Sequence, residues 1–329
     1  MKNIRVLLCG TVFGRIYLRG IKDSRTWKLS GILSRGSEKS AKLAERYNVP
    51  LYTDVDDVPE GEYDVAFVVV RSGIVGGEGH KLAGRLLDKH INVVQEQPVH
   101  AEEAAELFKR AAENDVSYTV NTFYPYMDAS KQFFTRLSEL KKTEDILSID
   151  GCCSLPVLLP FIDQIGRAAG GLRPWNIDNV LTNGACDFIT GNIRGIPFSI
   201  RLQGRRRENI DQAYILNQIN VMTASGNLIM TDVNGQVIWI KKPYVVEEYI
   251  KAVEKDIAKD VPATEIVYDA GPKHFSCLYR DIWPKAVERF LEEKEDKILS
   301  SKPDTAEMQY YLSVCGFWKE LYKRLEDIR

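Results

Sequence analysis

Two glycines stand where the first apolar run of the sequence meets a helical pattern. Gly10 and Gly14 enclose Thr11, Val12 and Phe13. A dinucleotide phosphate needs small residues at such a turn, because backbone N–H groups at the helix start must approach its oxygens closely. Val12 stands where a GxGxxG motif has its middle glycine, and the last glycine falls one position early. The five residues predict a degraded dinucleotide-binding turn, and the alternative is a tight turn without a ligand.

The second predicted strand ends in Ser34-Arg35-Gly36. An NAD-specific domain normally carries Asp or Glu there to bind the ribose 2′-hydroxyl, and this segment has no acid. Ser34 can hydrogen-bond a 2′-phosphate, and Arg35 can pair with it and stack on the adenine. The segment favours NADP over NAD, with NADPH as a hydride donor; the alternative is an ordinary solvated arginine.

Three further loops follow predicted strands, at the edge where open α/β sheets bind ligands. The first begins with Val70, Arg71 and Ser72, which we predict to contact the cofactor, and its glycines either admit a ligand or merely turn the chain. The second contains Glu96 and Gln97, which are also predicted cofactor contacts.

The third loop contains Tyr124. A tyrosine at this edge could donate a proton to a reacting group. It could equally pack at a domain junction, and the residue types leave both interpretations open.

These loops require a particular order of elements to position them. Short apolar runs alternate with helical patterns up to about residue 121, which predicts an α/β domain with a doubly wound parallel sheet. The predicted strands are Asn3–Leu8, Leu29–Leu33, Asp64–Val70, Asn92–Gln95 and Ser117–Val120, and the predicted helices are Gly14–Ile21, Glu38–Tyr47, His80–Lys89 and Ala101–Glu113.

The pattern changes in the rest of the chain. Helices are predicted at Gln132–Lys142 and Pro160–Ala169, with a strand at Ile146–Ser154 between them. Alternating strands separated by glycine turns then fill Ile177–Ile240, which predicts a large antiparallel sheet. We therefore assign residues 1–121 to an NADP-binding Rossmann domain and residues 122–329 to an α+β substrate and oligomerisation domain.

Composition excludes several other classes of protein. The 44 Lys and Arg against 46 Asp and Glu leave a net charge of -2, without the basic excess typical of nucleic-acid or anionic-membrane binding. The six cysteines lack CxxC spacing and the four histidines do not cluster with them, so no metal site is predicted. No secretory signal or membrane-spanning run is recognised, and we expect a cytoplasmic protein.

The order of elements and several motifs resemble a known family. A Rossmann domain, a Glu-Gln-Pro stretch after the fifth strand and a large antiparallel sheet are similar to the glucose-fructose oxidoreductase/inositol dehydrogenase/rhizopine-catabolism (Gfo/Idh/MocA) superfamily. Within it, the chain resembles the thiazolinyl imine reductases of siderophore biosynthesis. The motifs that carry this resemblance are Cys9-Gly10-Thr11-Val12-Phe13-Gly14, Val75-Gly76-Gly77-Glu78-Gly79, Gln95-Glu96-Gln97-Pro98-Val99-His100, Asn121-Thr122-Phe123-Tyr124-Pro125 and the stretch from Ile165 to Trp175.

The resemblance implies NADPH-dependent reduction of a thiazoline C=N to a thiazolidine, on an intermediate tethered to a carrier domain of a nonribosomal peptide synthetase. It implies Tyr124 as the proton donor. Gln97 stands where some members carry a histidine, and glutamine can orient a group but cannot act as an acid, so water is an alternative proton source. The candidate substrate contacts are Gly77, His80, Tyr126 and Trp175.

Other functions remain open at this point. Alcohol-oxidising relatives usually carry Glu-Lys-Pro and an Asp-His pair four residues apart, whereas this chain has Gln97 and an Asp163/Arg167 pair. The alternatives are a related oxidoreductase acting on another small carbonyl, imine or polyol, and a non-catalytic NADP-binding regulator. Arg205-Arg206-Arg207 is either a solvated turn or a docking site for an acidic carrier domain, and the charged carboxyl-terminal helices could support a homodimer.

Overall fold

The chain forms two compact units. A computed structural model describes residues 3–70, 78–203, 213, 215–242, 251, 264–271 and 274–327. The first unit consists of Met1–Tyr126 and Lys273–Gly316, and the second of Met127–Pro272 and Phe317–Arg329. The sequence assigns all of 122–329 to one domain, whereas the structure returns Lys273–Gly316 to the first unit.

The first unit is built on a parallel sheet of six strands in the order β3-β2-β1-β4-β5-β6. Its strands are β1 (Ile4–Cys9), β2 (Trp27–Leu33), β3 (Leu51–Tyr52), β4 (Val65–Val68), β5 (Asn92–Glu96) and β6 (Tyr118–Asn121). All four residues of β4 are buried, as expected for a strand covered by helices on both faces. The predicted doubly wound α/β fold is confirmed.

Four helices follow strands of this sheet, and their ends have local causes. They are α1 (Gly14–Gly20), α2 (Glu38–Tyr47), α3 (Glu78–Asp88) and α4 (Ala101–Glu113). The Ser37 side chain accepts a hydrogen bond from the Ser40 N–H at the start of α2, and Asn48 ends that helix in the left-handed conformation. His100 and Glu103 form a reciprocal cap at the start of α4.

A helix from the carboxyl-terminal third completes the first unit. We call it α7 (Trp283–Ile298), and it packs closely on α1. A Cβ on Gly20 would lie 2.8 Å from the Pro284 carbonyl oxygen and 2.9 Å from Val287 Cβ. Only glycine allows this approach. The Trp27 indole also donates to Glu295 at 3.1 Å.

The second unit is built on a mixed sheet of eight strands in the order β14-β13-β12-β11-β7-β10-β9-β8. The strands are β7 (Ile146–Ser154), β8 (Trp175–Asn183), β9 (Cys186–Ile193), β10 (Ile196–Gln203), β11 (Asn217–Thr223), β12 (Gly226–Met230), β13 (Val237–Lys241) and β14 (Thr264–Tyr268). All neighbouring strands are antiparallel except β7 and β10, which are parallel. The predicted large antiparallel sheet is confirmed with this one exception.

Helices cover one face of this sheet. They are α5 (Asp128–Leu140) and α6 (Leu158–Ala169). The last described helix, α8 (Thr305–Glu326), begins in the first unit and ends in the second. In the second unit, Phe317 of α8 packs against Trp175 and Phe198, with ring centroids 5.6 and 5.8 Å away. None of the helices in the described ranges is long and apolar enough to cross a lipid bilayer.

Candidate functional site

The glycine turn has the geometry of a close backbone approach. Gly10 has φ +95°, and a Cβ there would lie 2.5 Å from the Val69 carbonyl oxygen, so a larger residue would be strained and would clash. A Cβ on Gly14 would lie 3.1 Å from a Leu8 methyl carbon. Val12 is 91% exposed, so its side chain points into solvent and does not fill the space inside the turn. Thr11 and Phe13 are half-buried beside it.

The end of β2 presents an exposed guanidinium. The Ser34 N–H donates to the Tyr52 carbonyl at 3.0 Å, and the Gly36 N–H donates to Ser34 Oγ at 3.4 Å. These bonds fix the turn around Arg35, whose side chain is exposed and forms no ion pair with any residue that the structure describes. An anionic group bound beside this turn would therefore meet an exposed guanidinium.

The loop after β4 is only partly described. Val70 is half-buried and lies two residues beyond the end of β4. The predicted contacts Arg71, Ser72 and Gly77 lie outside the described residues, and so does the triple arginine 205–207.

A buried hydrogen-bond network lies at the ends of β5 and β6. The Tyr17 hydroxyl of α1 donates to Glu96 and accepts from Asn121 Nδ2 at 2.8 Å. Burial raises the pKa of the Glu96 carboxyl to about 8, and the hydrogen bond from Tyr17 opposes this rise. Burial and the Glu96 charge raise the pKa of Tyr17 as well. Glu96 is therefore largely protonated at neutral pH.

The same network shapes the loop that carries Tyr124. Asn121 Oδ1 accepts from the Phe123 N–H at 2.9 Å, and Phe123 has φ +66°. This left-handed residue turns the chain so that the Tyr124 N–H donates to the Thr122 carbonyl at 2.8 Å. Tyr124 begins a short 3₁₀ turn and is half-buried. Tyr17 belongs to no motif recognised in the sequence. Asn121 begins the Asn121-Thr122-Phe123-Tyr124-Pro125 motif, but that motif did not predict a role for its side chain.

The Gln97 amide is oriented by a carbonyl group. Gln97 Nε2 donates to the Thr122 carbonyl at 2.9 Å. A carbonyl can only accept, so this contact fixes which end of the amide faces Thr122. The opposite end, Gln97 Oε1, is a buried acceptor with no hydrogen-bond partner within the described residues. The Gln97 side chain and the Tyr124 backbone N–H thus both donate to the Thr122 carbonyl. The free end of the Gln97 amide is its oxygen, which can accept a hydrogen bond.

The remaining candidate residues have different surroundings. His80 Nδ1 lies 3.1 Å from Glu103 Oε1. Tyr126 is 4% exposed, and its ring packs against Phe290 with centroids 5.1 Å apart, which argues against the predicted substrate contact because the ring belongs to the core. Trp175 lies in the second unit, where the Arg173 guanidinium is 5.0 Å from its ring.

Asp163 and Arg167 form an ion pair within one helix of the second unit. Asp163 is fully buried in α6 and accepts from Arg167 Nε at 2.9 Å. A histidine is therefore absent from this position, and Arg167 occupies the place four residues after Asp163. Across the described ranges, no group of three or more His, Cys, Asp or Glu side chains could hold a metal ion.

Residues 4–122 match a family model described as the Oxidoreductase family, NAD-binding Rossmann fold (GFO_IDH_MocA). The first part of this chain is therefore similar to the Rossmann domain of that oxidoreductase family. A comparison with curated proteins finds no match. The match covers the amino-terminal 4–122 segment and points to an NAD-binding Rossmann fold without identifying a substrate.

Solved structures share the fold over nearly the whole chain. An oxidoreductase from Agrobacterium radiobacter, in complex with NAD+, L-tartaric acid and magnesium, has TM-score 0.71 at 9% identity and covers 100% of this chain and 98% of that chain. A 3-ketoreductase from Actinomadura kijaniata in complex with NADP has TM-score 0.66 at 14% identity and covers 95% of each chain. The gentamicin A biosynthesis protein GenD2, in complex with NAD, has TM-score 0.72 at 12% identity and covers 100% of this chain and 96% of that one.

Proposed function

We propose that the protein is an NADPH-dependent thiazolinyl imine reductase that acts on a carrier-tethered intermediate of siderophore biosynthesis. The observation that carries the proposal is that the Gln97 side chain and the Tyr124 backbone N–H both donate to the Thr122 carbonyl, which brings the two residues into one loop cluster. It supports a site in which Tyr124 carries the proton and Gln97 Oε1 is a hydrogen-bond acceptor. Alcohol-oxidising relatives usually carry a lysine and an Asp-His pair instead.

Each side chain has a distinct role in the proposed reduction. NADPH, when bound, supplies a hydride to the imine carbon. Tyr124 Oη donates a proton to the imine nitrogen as negative charge develops there. Gln97 Oε1 then accepts a hydrogen bond from the N–H that forms, which satisfies its lone pairs. Gly10 and Gly14 admit the dinucleotide backbone at the turn.

One comparison tests the proposal. NADPH consumption is measured with 2-phenyl-4,5-dihydrothiazole, with a panel of sugars and cyclitols, and with no added substrate while cofactor binding is followed. Thiazoline-dependent consumption supports the proposal. Turnover of a sugar or cyclitol alone would favour another oxidoreductase of this family, and cofactor binding without any turnover would favour a regulator.

Cofactor preference gives a separate prediction. Arg35→Ala should raise the dissociation constant for NADPH by about 10- to 100-fold, because it removes a charge-assisted hydrogen bond to the 2′-phosphate. The dissociation constant for NADH should not change. Arg46→Ala, which removes an exposed arginine on α2, is the matched control. Equal weakening of NADPH and NADH by Arg35→Ala would show that Arg35 does not read the 2′-phosphate.

We also propose that two copies of the chain pair through the open face of the eight-stranded sheet. Strand register places five exposed apolar side chains on this face: Leu181, Phe188, Met222, Ile240 and Ile266. Eight strands spaced by ~4.8 Å give a face roughly 35 Å wide, which is wide enough for the ~800 Å² per partner of a standard interface.

The central charges of this face suit a self-complementary contact. Arg201 and Asp150 lie on neighbouring strands near the middle of the sheet, and a two-fold axis there would bring Arg201 of one copy towards Asp150 of the other. Phe188→Asp should convert a dimer to a monomer in sedimentation velocity, whereas Tyr47→Asp in the first unit should not. A monomeric wild-type protein at micromolar concentration would contradict the pairing.

A further inference from the structure

The loop that carries Gln97 is bonded to a helix from the carboxyl-terminal part of the chain. Val99, two residues after Gln97, is fully buried and lies outside any helix or strand. Its N–H donates to the Tyr311 hydroxyl at 3.2 Å, and the same hydroxyl donates to the Val99 carbonyl at 2.8 Å. One phenol of α8 therefore satisfies both backbone polar groups of Val99.

A second side chain of α8 supports the same contact. The Cys315 thiol, one helical turn after Tyr311, donates to the Val99 carbonyl at 3.4 Å. Tyr311 and Cys315 both belong to the first unit and are buried there. Burial raises the pKa of the Tyr311 phenol well above its usual value and that of the Cys315 thiol to about 12. Both groups therefore keep their protons at neutral pH and remain donors.

The opposite side of the loop is bonded to the end of β6. The Gln97 N–H donates to the Asn121 carbonyl at 3.3 Å, and Gln97 Nε2 donates to the Thr122 carbonyl at 2.9 Å. Pro98 has no N–H, so both backbone N–H groups of residues 97–99 are bonded, one to β6 and one to Tyr311. The loop is therefore fixed between two separate elements of the first unit.

A displacement of Val99 would be passed on to the Gln97 side chain. Pro98 joins the two residues, and its ring restricts φ, so the loop has few backbone dihedrals that can absorb a shift. Without the Tyr311 hydroxyl, the buried Val99 N–H would lose its acceptor. An unpaired buried N–H is costly, so the loop would move until Val99 found another partner. Gln97 Oε1, the buried acceptor of the candidate site, would move with it.

We propose that Tyr311 is a positioning residue, which acts through Val99 to hold Gln97 Oε1 in place for the reacting nitrogen. The alternative is that the Tyr311 hydroxyl only attaches α8 to the Rossmann unit, in which case its loss would lower stability without a change at Gln97. The presence of a reacting nitrogen rests on the proposed function. The coupling of Tyr311 to the Gln97 amide does not, and it can be measured without turnover.

Nuclear magnetic resonance of the intact protein tests this coupling. The signal of the Gln97 side-chain amide is assigned from its absence in Gln97→Ala. Tyr311→Phe should shift this signal, and Cys315→Ala, which leaves both Tyr311 bonds in place, should shift it less. Tyr118→Phe is the matched control, because it removes another buried phenol of the first unit, one that donates to Gln95 Oε1 at 2.8 Å. It should leave the Gln97 signal unchanged.

A double-mutant cycle tests the effect on the reaction. Tyr311→Phe should lower kcat for thiazoline reduction by about tenfold, because the acceptor is displaced. In a Gln97→Ala background the same change should have little further effect, since the side chain that Tyr311 positions is then absent. Tyr118→Phe should leave kcat unchanged in both backgrounds, and urea unfolding reports the loss of stability of each variant separately.

The outcomes separate this inference from the proposed function. A Gln97 signal that shifts no more in Tyr311→Phe than in Tyr118→Phe overturns the inference. If Tyr311→Phe does not fold, the same comparison with Cys315→Ala decides. An equal loss of kcat in both backgrounds also overturns it, because Tyr311 would then act independently of Gln97. A shifted Gln97 signal in a protein without thiazoline-dependent turnover supports the inference and contradicts the proposed function.

Discussion

Replacement of Tyr124 by phenylalanine is expected to lower kcat for thiazoline reduction by roughly 10²-fold or more, the usual contribution of a positioned proton donor. The dissociation constant for NADPH should change little, because the Tyr124 backbone bond to Thr122 does not involve the hydroxyl. Stopped-flow measurement of NADPH oxidation with saturating substrate reports the chemical step directly.

The pH dependence decides between Tyr124 and water as the proton source. If the phenol donates, the rate of the wild-type protein should fall at high pH as the phenol ionises, and the variant should lose this limb. A kcat of Tyr124→Phe equal to that of the wild-type protein across the pH range would assign the proton to water. Tyr47→Phe, at an exposed tyrosine remote in sequence from the site, controls for the loss of a phenol.

Glu96 should make the stability of the protein depend on pH. Its pKa is raised from 4.5 to about 8 in the folded protein, so between these values the folded state holds a proton that the unfolded state has released. The free energy of unfolding therefore falls as the pH rises through this window. The pKa difference corresponds to roughly 4 to 5 kcal/mol. Because the Glu96 side chain keeps some contact with solvent, the measured loss should be smaller.

Glu96→Gln should remove this loss, because a neutral amide has no proton to release. Urea unfolding at pH 5, 6.5 and 8.5 should give similar values for the two proteins at pH 5 and a more stable variant at pH 8.5. Glu45→Gln, at an exposed position of α2, should follow the wild-type protein. Parallel pH profiles for wild type and Glu96→Gln would show that Glu96 ionises normally.

The elements that sequence predicted best have strong local signals. Helices α2 and α4 and strand β7 have the predicted bounds. Capping residues mark the start of both helices. Strand β3 was missed, since Leu51–Tyr52 is too short for any alternation to be visible. The parallel pairing of β7 with β10 was also missed, because periodicity within a strand does not specify its neighbour.

Only those residues of the candidate site that belong to a sequence motif could be predicted. Gly10 and Arg35 could be predicted because a phosphate-binding turn imposes residue types at fixed places along the sequence. The Tyr17 network could not, because its members are brought together only by the packing of α1 against the ends of β5 and β6. Tyr311 and Cys315 are spaced four residues apart, which is a visible helical signal, but their contact with Val99 depends on the return of this segment to the first unit.

The presence of Lys273–Gly316 in the first unit also affects the order in which the chain folds during synthesis. The six strands of the first sheet have been translated by residue 121. In contrast, α7, which packs against α1 at Gly20, follows every strand of the second sheet that the structure describes. Nascent domains generally fold in the order in which they are made. The first unit therefore cannot acquire its last helix until the second sheet has been translated. Its folding begins before that of the second unit but is completed only afterwards.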